Sequence, residues 1–126
     1  MRAGPEVFAV IRGYYALLDE GRIEDCERYF APGATLRIGN HPPVTGWESI
    51  SRAMKAGLGH PRILRIRHEV LNAWEEDGGV AIFEVSATYE LTDGRTIQVP
   101  GVVIAELAGG RFLSQRIAAD LSPVYS

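Results

Sequence analysis

The sequence predicts an α+β fold in which a curved antiparallel β-sheet wraps around three N-terminal helices as a cone-shaped barrel. Helical patterns occupy the first half of the chain, and four long alternating apolar stretches occupy the second half. Three tight-turn signals separate those stretches, at residues 76–79, 92–95 and 108–111. Each contains Asp-Gly or Gly-Gly, which tolerate the positive φ angles of hairpin turns. We expect residues 1–126 to form a single domain around one pocket.

Apolar periodicity predicts the three helices that precede the long strands. The first begins near Pro5, ends at Gly21, and carries an apolar stripe made of Val7, Ile11, Tyr14 and Leu18. A shorter second stripe contains Ile23, Cys26 and Phe30. A short strand follows at residues 34–39. The third helix is expected to start at Thr45, because Thr45 and Glu48 have the spacing of a capping box.

The long strands are predicted at residues 63–75, 80–91, 95–107 and 111–121. Side chains alternate between the two faces of a strand, so the apolar set must face the helices. On this basis Leu64, Val85 and Leu113 point inward, and Pro100-Gly101 is expected to bend or bulge the third strand. The inward face is almost wholly apolar. Its predicted polar members are His68, Asn72, Tyr89 and Gln115, with Tyr14 from the first helix.

The predicted outward face also carries apolar residues. They are Val80, Ile82, Val102, Ile104 and Phe112. Side by side on a sheet, such residues would form a patch large enough to indicate a partner surface. We therefore predict a homodimer formed through the outer face of the sheet.

Composition excludes several functional classes. The net charge is −3 and basic residues do not form the runs that a nucleic-acid partner requires. No apolar segment reaches the roughly 20 residues of a membrane span, and the N-terminus lacks the apolar stretch of a signal peptide. A single cysteine, Cys26, and three scattered histidines predict neither a disulfide nor a metal site. We expect a cytoplasmic protein without a cofactor.

Two segments carry a resemblance to a known family. Residues 29–35 (Tyr-Phe-Ala-Pro-Gly-Ala-Thr) end the second helical stripe, and residues 116–125 close the chain with Asp120-Leu121-Ser122-Pro123. With Gly46 before the third helix and four strands after it, the chain resembles the nuclear transport factor 2-like superfamily. It is most similar to the branch of SnoaL-like polyketide cyclases and ketosteroid-isomerase-like proteins. The resemblance implies the cone-shaped fold and a ligand pocket, and it spans nearly the whole chain.

The same resemblance shows where catalytic residues are missing. Ketosteroid isomerases pair a helix tyrosine, matched here by Tyr14, with an aspartate base at the position of Ile38. Epoxide hydrolases of this fold use Asp, Arg and Asp where this chain has Val85, Ala87 and Ile117. SnoaL-type cyclases use an acid on the last strand, for which only Asp120 is available. Parity places Asp120 outside the pocket unless a bulge reverses it.

His68 is the best chemical candidate, because an imidazole in an apolar pocket can accept or donate a proton near neutral pH. Alternatively, it is a core histidine that bonds to Asn72, Tyr14 or a water molecule. The Tyr14 hydroxyl can stabilise negative charge on a carbonyl oxygen, or Tyr14 is a large core side chain. Asp120 is either the acid of the site or a surface carboxylate near Arg116.

The remaining candidates would bind a ligand rather than react with it. Polar groups of the ligand would be oriented by Asn72, Tyr89 and Gln115, and the apolar walls would include Trp47, Trp74 and Val85. Two functions remain open. One is an isomerase, cyclase or dehydratase that moves a proton on a small hydrophobic carbonyl compound. The other is a non-catalytic binding or dimerisation module of the same fold.

Overall fold

The computed structural model describes residues 1–125 and has the predicted α+β architecture. The helices are α1 (Pro5–Asp19), a 3₁₀ helix (Glu24–Tyr29), α2 (Trp47–Leu58) and α3 (Ser122–Tyr125). The strands are β1 (Phe30–Ile38), β2 (Val44–Thr45), β3 (Ile63–Glu76), β4 (Val80–Leu91), β5 (Thr96–Ala108) and β6 (Arg111–Ala119). The four long strands therefore lie within two residues of their predicted bounds.

The strands form one curved, open sheet in the order β2-β1-β6-β5-β4-β3. β3 to β6 are joined by antiparallel hairpins, while β1 pairs with β6 in parallel. At the β3 edge, the N-terminal residues add main-chain hydrogen bonds from the Ala3 amide to the Ala73 carbonyl (3.0 Å) and from the Glu75 amide to the Met1 carbonyl (2.9 Å). These bonds cover part of an edge that would otherwise expose unpaired main-chain groups.

Helix α1 follows its sequence signals closely. Pro5 lies at the start of the helix, and Ile11, Tyr14 and Leu18 are buried. Tyr15, which the apolar stripe did not include, is buried as well. The predicted capping box before α2 is wrong: Gly46 is the N-cap, with φ 86°, and no side chain caps the helix. A residue with a side chain is strained at this φ, so the backbone selects glycine here.

Two bulges in β3 change which side chains face the helices. The pairing with β4 shifts between Ile63 and Arg65 and again between Val70 and Asn72. Leu64, predicted to point inward, is 71% exposed at the first bulge. The second bulge reverses parity, so that Asn72 and Trp74 pair with the outward residues Glu84 and Ile82. The predicted inward orientation of Asn72 and Trp74 is therefore wrong.

A third irregularity, between Glu106 and Leu107 of β5, alters the start of β6. Phe112, predicted to face outward, is fully buried, and Leu113, predicted to face inward, is 41% exposed. In contrast, the pairing of β5 with β4 is continuous through Pro100 and Gly101. The bulge predicted at Pro100-Gly101 is absent.

The core divides into two clusters of buried apolar residues. The larger lies between α1, α2 and the sheet and includes Ile11, Tyr14, Phe30 and Phe112. The smaller, with Ile66, Tyr89, Leu91, Val99 and Val124, lies where α3 covers the other end of the sheet. None of the helices within residues 1–125 combines the length and hydropathy that crossing a lipid bilayer requires.

Candidate functional site

A cavity of about 130 Å³ lies between the helices and the concave face of the sheet. Its wall is mostly apolar. The side chains from the sheet include Leu36, Val85, Ala87, Val99, Val103 and Ile117, and those from the helices include Leu18, Met54 and Leu58. The polar groups at the wall come from His68 and from four tyrosines, Tyr14, Tyr15, Tyr89 and Tyr125. Such a wall suits a small apolar ligand with few polar groups.

His68 is held by a carboxylate that the sequence did not reveal as its partner. The Oδ1 atom of Asp19 lies 2.6 Å from Nδ1 of His68, and Oδ2 accepts the main-chain N–H of His68 at 2.8 Å. An ionised carboxylate can only accept, so in this contact Nδ1 carries the hydrogen and Nε2 of the neutral ring is an acceptor. Within residues 1–125, Nε2 has no hydrogen-bond partner. Asp19 thus selects the tautomer in which Nε2 can take a proton.

Asp19 reaches His68 because α1 packs on β3. Tyr15 and Asp19 follow Ile11 at steps of four residues along α1, on the side of the helix next to the apolar stripe that the periodicity identified. The position of Asp19 offered a signal, because a carboxylate in the last turn of a helix opposes the helix dipole. An acidic residue in the last turn of a helix therefore indicates a specific partner more strongly than one in the first turn, where the dipole favours negative charge.

Tyr15 fixes the plane of the imidazole. Its ring stacks on that of His68 with centroids 4.5 Å apart and an angle of 21° between the planes. The side chains of His68 and Asp19 are 11% and 22% exposed. Burial, and then the nearby Asp19 charge, raise the pKa of Tyr15 above its ordinary range. Tyr15 therefore stays neutral and packs as a flat wall against the histidine.

The His68–Asp19 pair is accessible from two sides. His68 lines the cavity and also a surface groove that it shares with Arg12, Asp19 and Glu69. The groove is lined by residues of α1 and β3. A proton on this pair can therefore exchange with bulk water without crossing the cavity.

Tyr14 forms part of the floor of the cavity. Its ring makes edge-on contacts with Phe30 and Phe112, with centroids 5.6 and 5.4 Å apart. Burial raises the pKa of the Tyr14 hydroxyl well above its ordinary value, so the group remains a hydrogen-bond donor. Tyr15 lies beside Tyr14, at 5.0 Å between centroids. The two candidates, Tyr14 and His68, line one cavity, and no hydrogen bond joins them in the described chain.

Gln115 is buried below this floor, as parity predicts, and is 1% exposed. It lies close enough to Tyr14 to lower the pKa of the phenol slightly, against the larger effect of burial. The orientation is nevertheless poor, because neither Nε2 nor Oε1 of Gln115 has a partner with normal hydrogen-bond geometry. An unpaired buried amide costs about 1–3 kcal/mol of stability for each group left unsatisfied. A buried polar atom without a hydrogen-bond partner, like these two of Gln115, requires a specific explanation.

Tyr89 and Tyr125 lie toward the other end of the cavity. Burial raises the pKa of Tyr89 to about 12. Tyr125, which the sequence did not indicate, is the most exposed residue of the wall at 37%. Its hydroxyl donates to the Gly57 carbonyl at 3.2 Å, so it joins α3 to the end of α2. This end is the more open part of the cavity.

Besides Gln115, which lies below the floor, the structure places four predicted site residues away from the cavity. Asn72 accepts from Arg2 and donates to Glu84 on the outer face. Trp74 shares that face, and Trp47 packs on Phe30 at the wall of a different surface depression. Asp120 follows β6, is exposed and accepts the Ser122 amide at 3.0 Å. Hydrogen bonding by the Ser122 side chain, and then by this amide, lowers the pKa of Asp120. The bulge that would turn Asp120 inward does not occur.

No metal-binding arrangement is found in the part of the chain that the structure describes. His, Cys, Asp and Glu side chains do not come together there in a group of three or more. The Cys26 thiol is buried, donates weakly to main-chain carbonyls of Tyr14 and Arg22, and has its pKa raised by burial to about 11. A thiol in this state is a poor nucleophile.

Comparison with solved structures shows the fold alone, because sequence identities are low. A candidate SnoaL-like polyketide cyclase from Jannaschia sp. CCS1 superposes with a TM-score of 0.77 at 19% identity, covering 99% of this chain and 94% of that one. A protein of ketosteroid isomerase-like fold from Catenulispora acidiphila, in complex with trimethylamine, gives 0.78 at 17% identity, covering 97% and 91%. TerC, co-crystallised with polyporic acid, gives 0.77 at 13% identity, covering 96% and 99%.

Comparison at the level of sequence assigns the family. Residues 11–115 match the SnoaL-like domain, and no functionally curated protein matches the chain. The protein belongs to the SnoaL-like domain family within the nuclear transport factor 2-like superfamily. The predicted resemblance is confirmed for family and fold. The catalytic roles predicted for single residues remain predictions.

Proposed function

We propose that this protein catalyses proton transfer on a small hydrophobic carbonyl compound without a cofactor, with His68 as general base. The observation that carries the proposal is the contact of 2.6 Å between Asp19 Oδ1 and His68 Nδ1 at the wall of an apolar cavity. A carboxylate in this position orients the imidazole and stabilises the positive charge that the ring gains when Nε2 takes a proton. The same arrangement of base and orienting acid recurs in enzymes of unrelated fold.

In this scheme, Nε2 of His68 removes a proton from the carbon next to the carbonyl group. The electron pair of the broken C–H bond moves to the carbonyl oxygen, and the resulting enolate accepts a hydrogen bond from the Tyr14 hydroxyl. The imidazolium then returns the proton to a second carbon, which isomerises a double bond, or to a leaving hydroxyl, which completes a dehydration. If the enolate carbon instead attacks a second carbonyl group of the same molecule, a C–C bond closes a ring and the imidazolium returns its proton to the resulting alkoxide.

Two structures of the same fold support a small organic ligand. One was determined in complex with trimethylamine and another with polyporic acid. In this protein the concave face of the sheet encloses an apolar cavity beside His68. The ligand that we propose is a compound whose apolar body contacts this wall and whose carbonyl oxygen approaches Tyr14.

The experiment measures base catalysis directly and needs no knowledge of the natural substrate. Cyclohexanone is incubated with the protein in D₂O, and loss of the proton signal next to the carbonyl is followed by NMR. His68→Gln should lower the exchange rate by about 10²- to 10⁴-fold, while binding of cyclohexanone, measured calorimetrically, is retained. Asp19→Asn should lower the rate as well, because the amide no longer selects the reactive tautomer.

Asp120→Asn provides the matched control, because it removes a carboxylate that lies outside the cavity. Asp120→Asn should catalyse the exchange of cyclohexanone protons at the wild-type rate. Equal rates in wild-type protein and His68→Gln would refute the assignment of the base.

A non-catalytic binding module is the second candidate. It is favoured by the absence of a carboxylate at the positions where relatives carry one, since Ile38 lies at the wall of the cavity and Asp120 lies outside it. For this function the exchange experiment predicts binding of cyclohexanone without any acceleration of exchange. The two functions are therefore separated by one measurement.

The homodimer and the cytoplasmic location also belong to the proposal. After correction for the bulges, the outward apolar residues on three neighbouring strands are Trp74, Val80, Ile82, Val102 and Ile104. Ile82 and Ile104 are directly paired at the centre of this group. Native mass spectrometry should give the mass of two chains, and Ile104→Asp should reduce it to one. A wild-type monomer at micromolar concentration would contradict the dimer.

A further inference from the structure

The enclosed volume of the cavity limits how much of a ligand can be buried in it. It measures about 130 Å³, close to an apolar cavity of about 150 Å³ that admits one benzene molecule in another protein. A compound with one six-membered ring fits this space. A compound with two fused rings is larger than the enclosed volume and cannot be buried completely unless the wall moves.

On the side of Tyr14 and of the sheet, the wall is built from side chains that yield little. Phe30 and Phe112 support the Tyr14 ring from two directions, at 5.6 and 5.4 Å between centroids. Across the sheet the lining side chains include the β-branched Val85 and Val99, whose χ1 angles are restricted. Close-packed interiors transmit rather than absorb such displacements. The cavity should therefore keep its size when a ligand binds.

Gly101 of β5 lines the cavity, and neither the backbone nor the packing explains why it is glycine. Its φ is not positive, and its pairing with β4 and β6 is regular. A Cβ atom built on Gly101 would have Ala119 Cβ as its nearest neighbour at 3.5 Å, which is ordinary contact. Gly101 pairs with the inward residues Val85 and Ala119, so that Cβ would project toward the cavity. The missing side chain leaves space there.

We propose that Gly101 is a specificity-determining residue and that the cavity takes a single-ring apolar compound. The ring of the ligand would contact Gly101 and lie between His68 and the floor formed by Tyr14. His68 pairs with Ala87, and Ala87 with Val99, two residues before Gly101. Two strand spacings and one two-residue step separate the Cα atoms of His68 and Gly101 by about 12 Å. The carbonyl group of the ligand is the only part of this inference that rests on the proposed function.

The test compares two ketones, cyclohexanone with one ring and 1-decalone with two, by calorimetric binding to the purified protein. The wild-type protein should bind cyclohexanone at least tenfold more tightly than 1-decalone. Gly101→Ala adds a methyl group to the cavity and should weaken cyclohexanone binding at least fivefold. Its Tm should be unchanged or raised, because alanine is tolerated in a strand better than glycine. The loss of affinity is then not a loss of folding.

Val102→Ala is the matched control, since Val102 is the next residue of β5 and faces outward. It should bind cyclohexanone like the wild-type protein. Val99→Ala enlarges the cavity and should reduce the preference for cyclohexanone over 1-decalone. His68→Gln should retain the size preference even if the protein is not an enzyme, which separates this inference from the proposed function.

Three results would overturn the inference. They are equal wild-type affinity for the two ketones, an unchanged affinity of Gly101→Ala for cyclohexanone, and no wild-type binding of either ketone.

Discussion

The two ends of the cone differ in how they are filled. The closed end contains large aromatic side chains in mutual contact, with Tyr14, Phe30 and Phe112 almost wholly buried. The open end is lined by small residues such as Ala87, Gly101 and Ala119, and the cavity extends between them. The closed end supplies most of the buried apolar surface, which stabilises the fold. The open end leaves that stabilisation incomplete and keeps room for a ligand.

The largest expected effect tests whether stability is concentrated at the closed end. Phe112→Ala removes a fully buried ring and should lower the free energy of unfolding by about 3–5 kcal/mol. Val99→Ala at the open end removes two methyl groups beside an existing cavity and should cost only about 1–2 kcal/mol. Urea unfolding followed by circular dichroism measures both. Similar losses in the two variants would mean that the ends contribute alike.

A smaller effect concerns the polar residue of the closed end. Gln115→Met keeps the length of the side chain and removes two buried polar atoms that have no partner. We expect the free energy of unfolding to rise by about 1–3 kcal/mol, because the unsatisfied amide no longer opposes folding. Thermal unfolding of the two proteins provides the comparison. A lower Tm in Gln115→Met would show that the amide is satisfied in solution.

The buried tyrosines should make the free energy of unfolding depend on pH. Burial raises the pKa of Tyr14, Tyr15 and Tyr89 above the ordinary value of 10.0. The folded state then resists loss of these protons, so stability is fully present below pH 10 and decreases as the pH rises through the folded pKa values. The part of the tyrosinate absorbance near 295 nm that belongs to these three residues should appear together with unfolding rather than before it. Complete ionisation of the tyrosines in a folded protein at pH 11 would contradict their burial.

The smallest expected effect compares two carboxylates, Asp19 at the end of α1 and Asp120 after β6. Asp120→Asn should change the free energy of unfolding by less than about 0.5 kcal/mol, because the side chain is exposed and asparagine keeps an oxygen that can accept the Ser122 amide. Asp19→Asn should cost more, because Asp19 also binds the His68 amide at 2.8 Å. Paired urea titrations at pH 7 measure the difference.

Much of the architecture could be predicted from local patterns. The turns at 76–79, 92–95 and 108–111 contain glycines with positive φ, at Gly78, Gly79, Gly94, Gly109 and Gly110. Positive φ depends on one residue and its neighbours, so the residue types at a turn position indicate it directly. The buried stripe of α1 and the inward position of Gln115 follow from helix and strand periodicity for the same reason.

The predicted side-chain orientations are wrong where one extra residue changes the register of a strand. Bulges in β3 and between β5 and β6 reversed the predicted orientation of Asn72, Trp74, Phe112 and Leu113. A bulge depends on how two strands match along their length, so neither strand sequence announces it. Pro100-Gly101 shows the converse case, since residues typical of a bulge lie in regular pairing.

By itself, the sequence determined the class of the fold, the order of its elements and the apolar character of the concave face, because propensity and periodicity are local. Only the tertiary structure decided the partner of His68. Asp19 and His68 are separated by 49 residues and meet because α1 packs on β3. A distance of 2.6 Å between two side chains depends on the packing of whole elements. No spacing along the chain encodes it.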